Sequence, residues 1–490
     1  MSVSAITVPR PVQLVIDDVG WREGWDVSAG GGPYRAGIDR LLGPADYHAV
    51  ADIGRALGIR PQCAMVVCEW DTENVCAQHP TATHQGCAWD NAARIGPWAD
   101  EAAVVFRHRA GNIEFGMHGV GHEHWDDGPD GRVRTRAEWF GRDPSEQWPQ
   151  DVLRGHLACF RRILDQHGIG PDNGMSFPPS FVPCAFRYYW DDASAESTGA
   201  LMRAAGVRFC STPYSSCWFA SGRPEKVDGG FDHGLIVLDR GNSGVPWHVC
   251  ATVPQGLPTT SICGIHWPNL LMLDPDANAE SVAMWVDYLK QIDARDGWML
   301  AKNMAETCSQ WLHHSYATLN AAGSQAMIDT APIPSVARLG TLVANPIIRV
   351  PLGEGQHVAA VHSTDCRAVA YWEGADGAAA FVALRLGALP RASFAVELGP
   401  EPMPLAVWRQ GTYDVAELVD EPGGAVRLAV RVYGRQTIHL RLPFRPSSVE
   451  AVKGGLVVRG VDYDPQMRVA TVVAEGHDIH GHDGEIILKP

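Results

Sequence analysis

The chain has 490 residues, enough for two or three domains with a sizeable buried core. Its 46% apolar and 20% charged residues describe an ordinary globular protein. The formal charge of -16 argues against nucleic acid or an anionic membrane surface as a partner, and no run approaches the eighteen or so apolar residues of a membrane helix.

The opening segment, MSVSAITVPRPVQLVIDD, lacks the charged region, apolar stretch and cleavage site of a signal peptide. Twelve scattered cysteines, several inside apolar runs, read as reduced, mostly buried thiols, so a cytoplasmic location is expected.

In chain order, PVQLVID (11–17) is a continuous apolar run suited to a buried parallel strand. Helical periodicity follows in 44–59, then a second strand in 60–70. An irregular insertion occupies 69–92; within it Cys76, His79, His84 and Cys87 have spacings only loosely like a metal knuckle. A helix over 98–112 leads to a third strand, IEFGMH (113–118). A strongly amphipathic helix over 149–169 precedes NGMSFPP (173–179), read as a strand broken by two prolines. Further helix–strand units span 196–213, and TTSICGIHW (259–267) is a late buried strand before a helix over 278–297 and a short strand at 298–302. Such alternation implies parallel strands, in a barrel or a doubly wound sheet, with chemistry at the strands' C-terminal ends.

From 317 to 356 the chain is irregular and is expected to be a linker. Beyond it, short alternating strands between 357 and 490 with Gly, Pro and Asp turns predict an antiparallel β-sandwich. Fifteen of the seventeen tryptophans precede residue 316, so aromatic rings belong to the α/β part. Core packing accounts for most of them. Trp21, Trp25, Trp125 and Trp267 stand beside polar strand-end motifs and are candidate walls of a substrate cleft.

Four strand ends carry candidate chemistry. IDDVGW places Asp17 and Asp18 side by side, and neighbouring residues in a regular strand point in opposite directions. MHGVGHEHW holds His118 and His122 four apart, a separation that brings two imidazoles to one side of a turn. SFPPSF fixes the chain with paired prolines, and ICGIHWPN ends a strand on His266. One carboxylate and two imidazoles form a 2-His-1-carboxylate set that leaves positions open on a catalytic metal, while the spare carboxylate and histidine can serve as base and acid.

In the order and spacing of these motifs, residues 11–315 resemble the NodB-type polysaccharide deacetylases, carbohydrate esterase family four in its broad sense. IDD is similar to the family's aspartate pair, HGVGH to its two-histidine motif, FPPSF to its proline-bearing motif and GIH to its late strand–histidine motif; LKQIDARDGWMLAKNMAE resembles its last helix, glycine and short strand. The resemblance implies an irregular, seven-stranded (β/α)7 barrel over 1–316, followed by the C-terminal β-sandwich. It implies Asp17 as catalytic base, Asp18, His118 and His122 as ligands of a divalent ion such as Zn²⁺, and His266 as general acid. Substrate contacts are expected from Trp21, Trp25, His124, Trp125, Phe177, Pro179 and Trp267; an exposed loop place is the equal alternative for His124.

Two departures from the family pattern matter. Phe177 stands where relatives carry an arginine that pairs with the catalytic aspartate, which leads to the expectation of a reoriented Asp17 with a raised pKa. The family's acidic, tryptophan-bearing fourth motif is not recognisable in RFCSTPYSSCW.

The expected activity is metal-dependent removal of an acyl group, N-acetyl above all, from a carbohydrate or carbohydrate-like substrate. Hydrolysis of a non-sugar amide is a close variant. A glycoside hydrolase would need a remote second acid such as Glu69, Asp71, Asp126 or Asp191. A barrel that binds without turnover is the third class. The expected partner is a small-molecule or oligosaccharide substrate, with no nucleic acid and no membrane; a homo-oligomer is left open. His477, His480 and His482 fall in a sandwich hairpin with no supporting motif and are expected to be structural.

Overall fold

A computed structural model describes residues 5–24, 36–128, 131–134, 137–141, 144–241, 243–338, 344–404, 406–408 and 411–490. Trp25 lies outside them. The chain forms two compact units, one of Gln13–Ala56 and Arg60–Tyr288, the other of Met1–Val12, Leu57–Ile59 and Leu289–Pro490.

The first unit is built from alternating strands and helices. Strand β1 (Arg10–Val19) leads through α1 (Pro44–Leu57) to β2 (Gln62–Val66), and α2 (Pro97–His108) to β3 (Glu114–Gly119). Helix α3 (Gln150–Gln166) leads to β4 (Ser180–Phe181), and α4 (Thr198–Ala205) to β5 (Phe209–Ser211). The hairpin β6 (Gly229–Asp232) and β7 (Leu235–Leu238) and the late strand β8 (Ile262–His266) complete the sheet. Its order is β6-β7-β5-β4-β3-β2-β1-β8, and every neighbouring pair except β6–β7 is parallel. A parallel sheet covered by helices buries both faces, which is why Val12, Leu14, Val15 and Ile16 of β1 and Cys63 to Val66 of β2 are all buried.

The ends of this row, β6 and β8, are not hydrogen-bonded to each other among the described residues. The strand expected at 173–179 is displaced: the ladder begins only at Ser180, because Pro178 and Pro179 have no N–H to donate. The hairpin β6–β7 was not legible as a unit, though LIVL is fully buried. The insertion is irregular as expected, with three single 3₁₀ turns at Cys68–Trp70, Val75–Gln78 and Gly86–Ala88.

In the second unit β9 (Trp298–Leu300) pairs in parallel with Arg10–Val12, and α5 (Asn278–Ala294) runs into this unit from the first. Helix α6 (Met304–Tyr316) begins at Asn303, whose side chain accepts from the Glu306 N–H at 2.8 Å. The stretch 317–356 is not a plain linker. It contains the hairpin Thr318–Ala322 with Gln325–Asp329 and the strand Ile347–Pro351, each integrated into a sheet. Small residues and proline hid these strands, of which Gln325–Asp329 and Ile347–Pro351 also pair with strands far along the chain.

Three antiparallel-rich sheets follow, of four, seven and four strands, with one parallel contact between Cys366–Glu373 and Ala406–Trp408. Along 379–384 the seven-stranded sheet is buried on both faces. Phe381 and Val472 join one core with Leu428 and Ile486, whereas Ala380 and Val382 join another with Ile328 and Phe394. Alternation along a strand places neighbours in different cores. No helix among the described residues is long and apolar enough to cross a membrane.

Ile16 is fully buried in β1 between its partners Cys63 and Ile265. Ile16→Ala is expected to cost about 2–5 kcal/mol in chemical denaturation; a loss below about 0.5 kcal/mol, ordinary for a surface site, would contradict this packing.

Candidate active site

The site forms where β1, β3 and β8 end. Asp17 is the register partner of His266 across the parallel pair β1–β8. The register of β1 against β2 shifts between Ile16 and Val19, and Asp18 adopts a left-handed backbone, φ 60°. This bulge overrides the alternation expected from sequence. Both carboxylates act on the same two imidazoles, His118 and His266.

Asp18 Oδ1 lies 3.3 Å from His118 Nε2 and 3.5 Å from His122 Nε2, and Asp18 Oδ2 lies 4.0 Å from His266 Nε2. His118 Nδ1 is 2.7 Å from the Val182 carbonyl, which can only accept, so Nδ1 carries the proton. The neutral ring then turns its Nε2 lone pair toward a carboxylate oxygen. Two acceptors at that distance require a cation, either a second proton on the ring or a metal ion. Two donors of a tetrahedral ion at about 2.0–2.1 Å stand about 3.3–3.4 Å apart, which is the Asp18–imidazole spacing. His118, His122 and Cys184 also each offer a ligand atom within 4.8 Å of the others, a buried cluster able to hold an ion. The donor chemistry fits a divalent metal.

Burial pushes the His118 pKa down, but the hydrogen bond and charge of Asp18, with Asp17 and the Val182 carbonyl, outweigh it and the net direction is up. For His266 burial prevails, with Arg240 and His118 in support against the two carboxylates, and its pKa is lowered.

The expectation of a missing cation beside Asp17 is overturned. Arg240 Nη1 lies 2.9 Å from Asp17 Oδ1 and 2.7 Å from Oδ2, with both side chains buried. The guanidinium also sits 4.6 Å from the Phe186 ring. Gly264 of β8 makes the room, since a Cβ there would stand 2.0 Å from Arg240 Nη2. The cation comes from the end of β7 rather than from the proline motif. Phe177 instead faces α3, with Phe160 at 5.9 Å and the Arg161 guanidinium at 5.8 Å. Pro179 contributes its carbonyl to the Arg208 and Phe209 N–H groups.

A second buried carboxylate, missed in the sequence, shapes the histidine loop. Glu138 accepts from the Val120 and His122 N–H groups at 3.0 Å each and from His156 Nδ1 at 3.0 Å, whose Nε2 in turn meets Thr81 Oγ1 at 2.8 Å. Gly119 permits this, because a Cβ there would stand 2.2 Å from Glu138 Oε2. The clamp holds His122 at φ 73°. Glu123 Oε1, 3.2 Å from His122 Nδ1, orients that ring. Half of the eight non-glycine residues with positive φ among those described, Asp18, His122, Ala185 and Phe186, belong to this one site. Such strain persists only where the surroundings over-determine it.

The candidate substrate aromatics are buried. Trp21 packs 5.6 Å from the His122 ring, Trp125 against His84, and Trp267 against Tyr47. His124 is not an exposed loop residue: it stacks face to face on Trp148 at 4.0 Å. Burial, then His156, lowers its pKa to about 4. Cys76, His79, His84 and Cys87 do not converge; Cys76 is buried with its sulfur 3.8 Å from Cys159, while Cys87 is exposed.

The acids that a glycosidase would need are otherwise engaged. Glu69 accepts from Arg22 N and Glu23 N, Asp71 from Cys76 N, and Asp191 from Ser221 and Ala193. Asp126 is paired with His124.

No family model, curated protein or solved structure matches the chain.

Removing one partner of the buried Arg240–Asp17 pair should be severe. Arg240→Met is expected to cost about 3–5 kcal/mol, and adding Asp17→Asn should recover part of that loss in a double-mutant cycle. Strictly additive costs would contradict the pairing.

Proposed function

We propose that the chain is a metal-dependent hydrolase that removes an acyl group, N-acetyl above all, from a carbohydrate or carbohydrate-like substrate. We read its parallel strands as an irregular (β/α)7 barrel of the NodB type, followed by a C-terminal antiparallel β-sandwich. One observation carries the reading: Asp18 Oδ1 spans His118 and His122 Nε2 at 3.3 and 3.5 Å, beside a second aspartate held by Arg240.

Asp18, His118 and His122 would hold the ion, Zn²⁺ best matching the nitrogen-rich set. When bound, a divalent ion polarises the scissile carbonyl and acidifies water. Asp17 takes a proton from the attacking water. Arg240 orients that carboxylate as the acceptor. His266, the neighbour of Asp17 across the strand pair, delivers a proton to the departing amine or alcohol. Water adds to the acyl carbon, the C–N or C–O bond breaks, and the products are a carboxylic acid and the free amine or alcohol.

A second reading, hydrolysis of a small non-sugar amide, is favoured by the burial of Trp21, Trp125 and Trp267, which leaves little open ring face for sugar stacking.

Elemental analysis of the purified chain should find about one equivalent of a divalent metal, lost in Asp18→Ala and His122→Ala. A wild-type protein that takes up no metal would refute the proposal. Acetate release from N-acetylated oligosaccharides, without new reducing ends, should occur and fall about 10²–10⁴-fold in Asp17→Asn. New reducing ends without acetate would indicate glycoside cleavage instead, and turnover of simple amides alone would select the second reading.

A further inference from the structure

The two candidate imidazole ligands are flanked on one side by Asp18 and on another by a thiol. Cys184 is fully buried, and its sulfur, a His118 nitrogen and a His122 nitrogen all lie within 4.8 Å of one another. In a tetrahedral ion with sulfur at about 2.3 Å and nitrogen at about 2.0–2.1 Å, those donors stand roughly 3.5 Å apart. A small inward movement is therefore enough for all three to bind together.

The backbone after Cys184 is unusual in the same place. Ala185 and Phe186 are consecutive left-handed residues, φ 49° and 60°, and neither is a glycine. That conformation is unfavourable for residues with a Cβ. It fixes Cys184 against the histidines while turning Phe186 under Arg240 and toward His266, 6.2 Å between rings. The thiol now donates to the His118 carbonyl at 3.2 Å. That carbonyl also receives Trp139 Nε1–H at 2.7 Å, so it keeps a donor if the sulfur turns away. Glu138 Oε2, 3.9 Å from the sulfur, is a second acceptor within the thiol's reach.

We propose that Cys184 is a direct ligand of the ion held by His118 and His122, acting with Asp18 to form a set of two nitrogens, one oxygen and one sulfur. The inference rests on the metal reading above and extends it. On binding, the S–H bond breaks, its proton passes to solvent and a sulfur–metal bond forms, with no change of oxidation state. A fifth position stays available to water or substrate, as zinc sites allow. The soft donor gives the site a preference for Zn²⁺ and Co²⁺ over Mg²⁺, Mn²⁺ and Ca²⁺.

The test loads the full-length chain with Co²⁺ and records its absorption. The expected result is a near-ultraviolet thiolate-to-cobalt charge-transfer band, abolished in Cys184→Ser and kept in Cys87→Ser, whose parent thiol is exposed. Zn²⁺ affinity should fall roughly 10–100-fold in Cys184→Ser. Zinc-edge X-ray absorption on the wild type needs no variant and should show one sulfur at about 2.3 Å among shorter nitrogen and oxygen distances. Metal bound with a purely nitrogen and oxygen shell, or a band that survives Cys184→Ser, would overturn the Cys184 ligand and leave the ion site standing. Failure of the wild type to bind either metal would overturn both.

Discussion

Two carboxylates buried side by side at the end of one strand set the terms for this site. Asp17 and Asp18 are both removed from water, and an uncompensated buried charge is far too costly to persist. Each has its own answer. Asp17 is neutralised by Arg240, brought from the end of a strand five places along the sheet order. Asp18 faces imidazole nitrogens whose other ring atoms are committed elsewhere, which leaves a place for a cation between them.

The surrounding fold serves that arrangement. A bulge in β1 brings consecutive residues to one group of partners, Gly264 clears the path of the guanidinium, and Glu138 bolts down the loop that carries His122. The strained backbones at Asp18, His122, Ala185 and Phe186 cluster here, as strained residues do at functional sites. In the proposed mechanism, separate partners also give the two aspartates separate roles, one as base and one as ligand.

Much of the site was legible in the sequence, since Asp17, Asp18, His118, His122 and His266 occupy short local motifs at strand ends. Arg240 was not. Its partner lies 223 positions away, and LIVLDR carries no spacing that links it to IDD. Glu138 and His156 escaped for the same reason: their importance is in the N–H groups and rings they hold, which no local pattern encodes. Cys184 read as one more thiol in an apolar context. That Trp21, Trp125 and Trp267 are buried was not legible, because proximity to a motif in sequence says little about which face of a ring remains open. In the fold, the β–α alternation gave the parallel strands and their helices. The two-residue strand after the prolines and the strand Ile347–Pro351 depend on distant pairing and were lost, as was the local hairpin of Thr318–Ala322 with Gln325–Asp329, which is rich in small and polar residues.

The central claim is that the two aspartates are balanced by different cations, an arginine and a metal ion. Anomalous diffraction at the zinc edge from crystals of the zinc-loaded protein tests it most directly. The account predicts one strong peak at bonding distance, about 2.0–2.2 Å, from Asp18 and the Nε2 atoms of His118 and His122, with Asp17 still on Arg240. A peak elsewhere, or none while Asp18 remains against a doubly protonated His118, would contradict it.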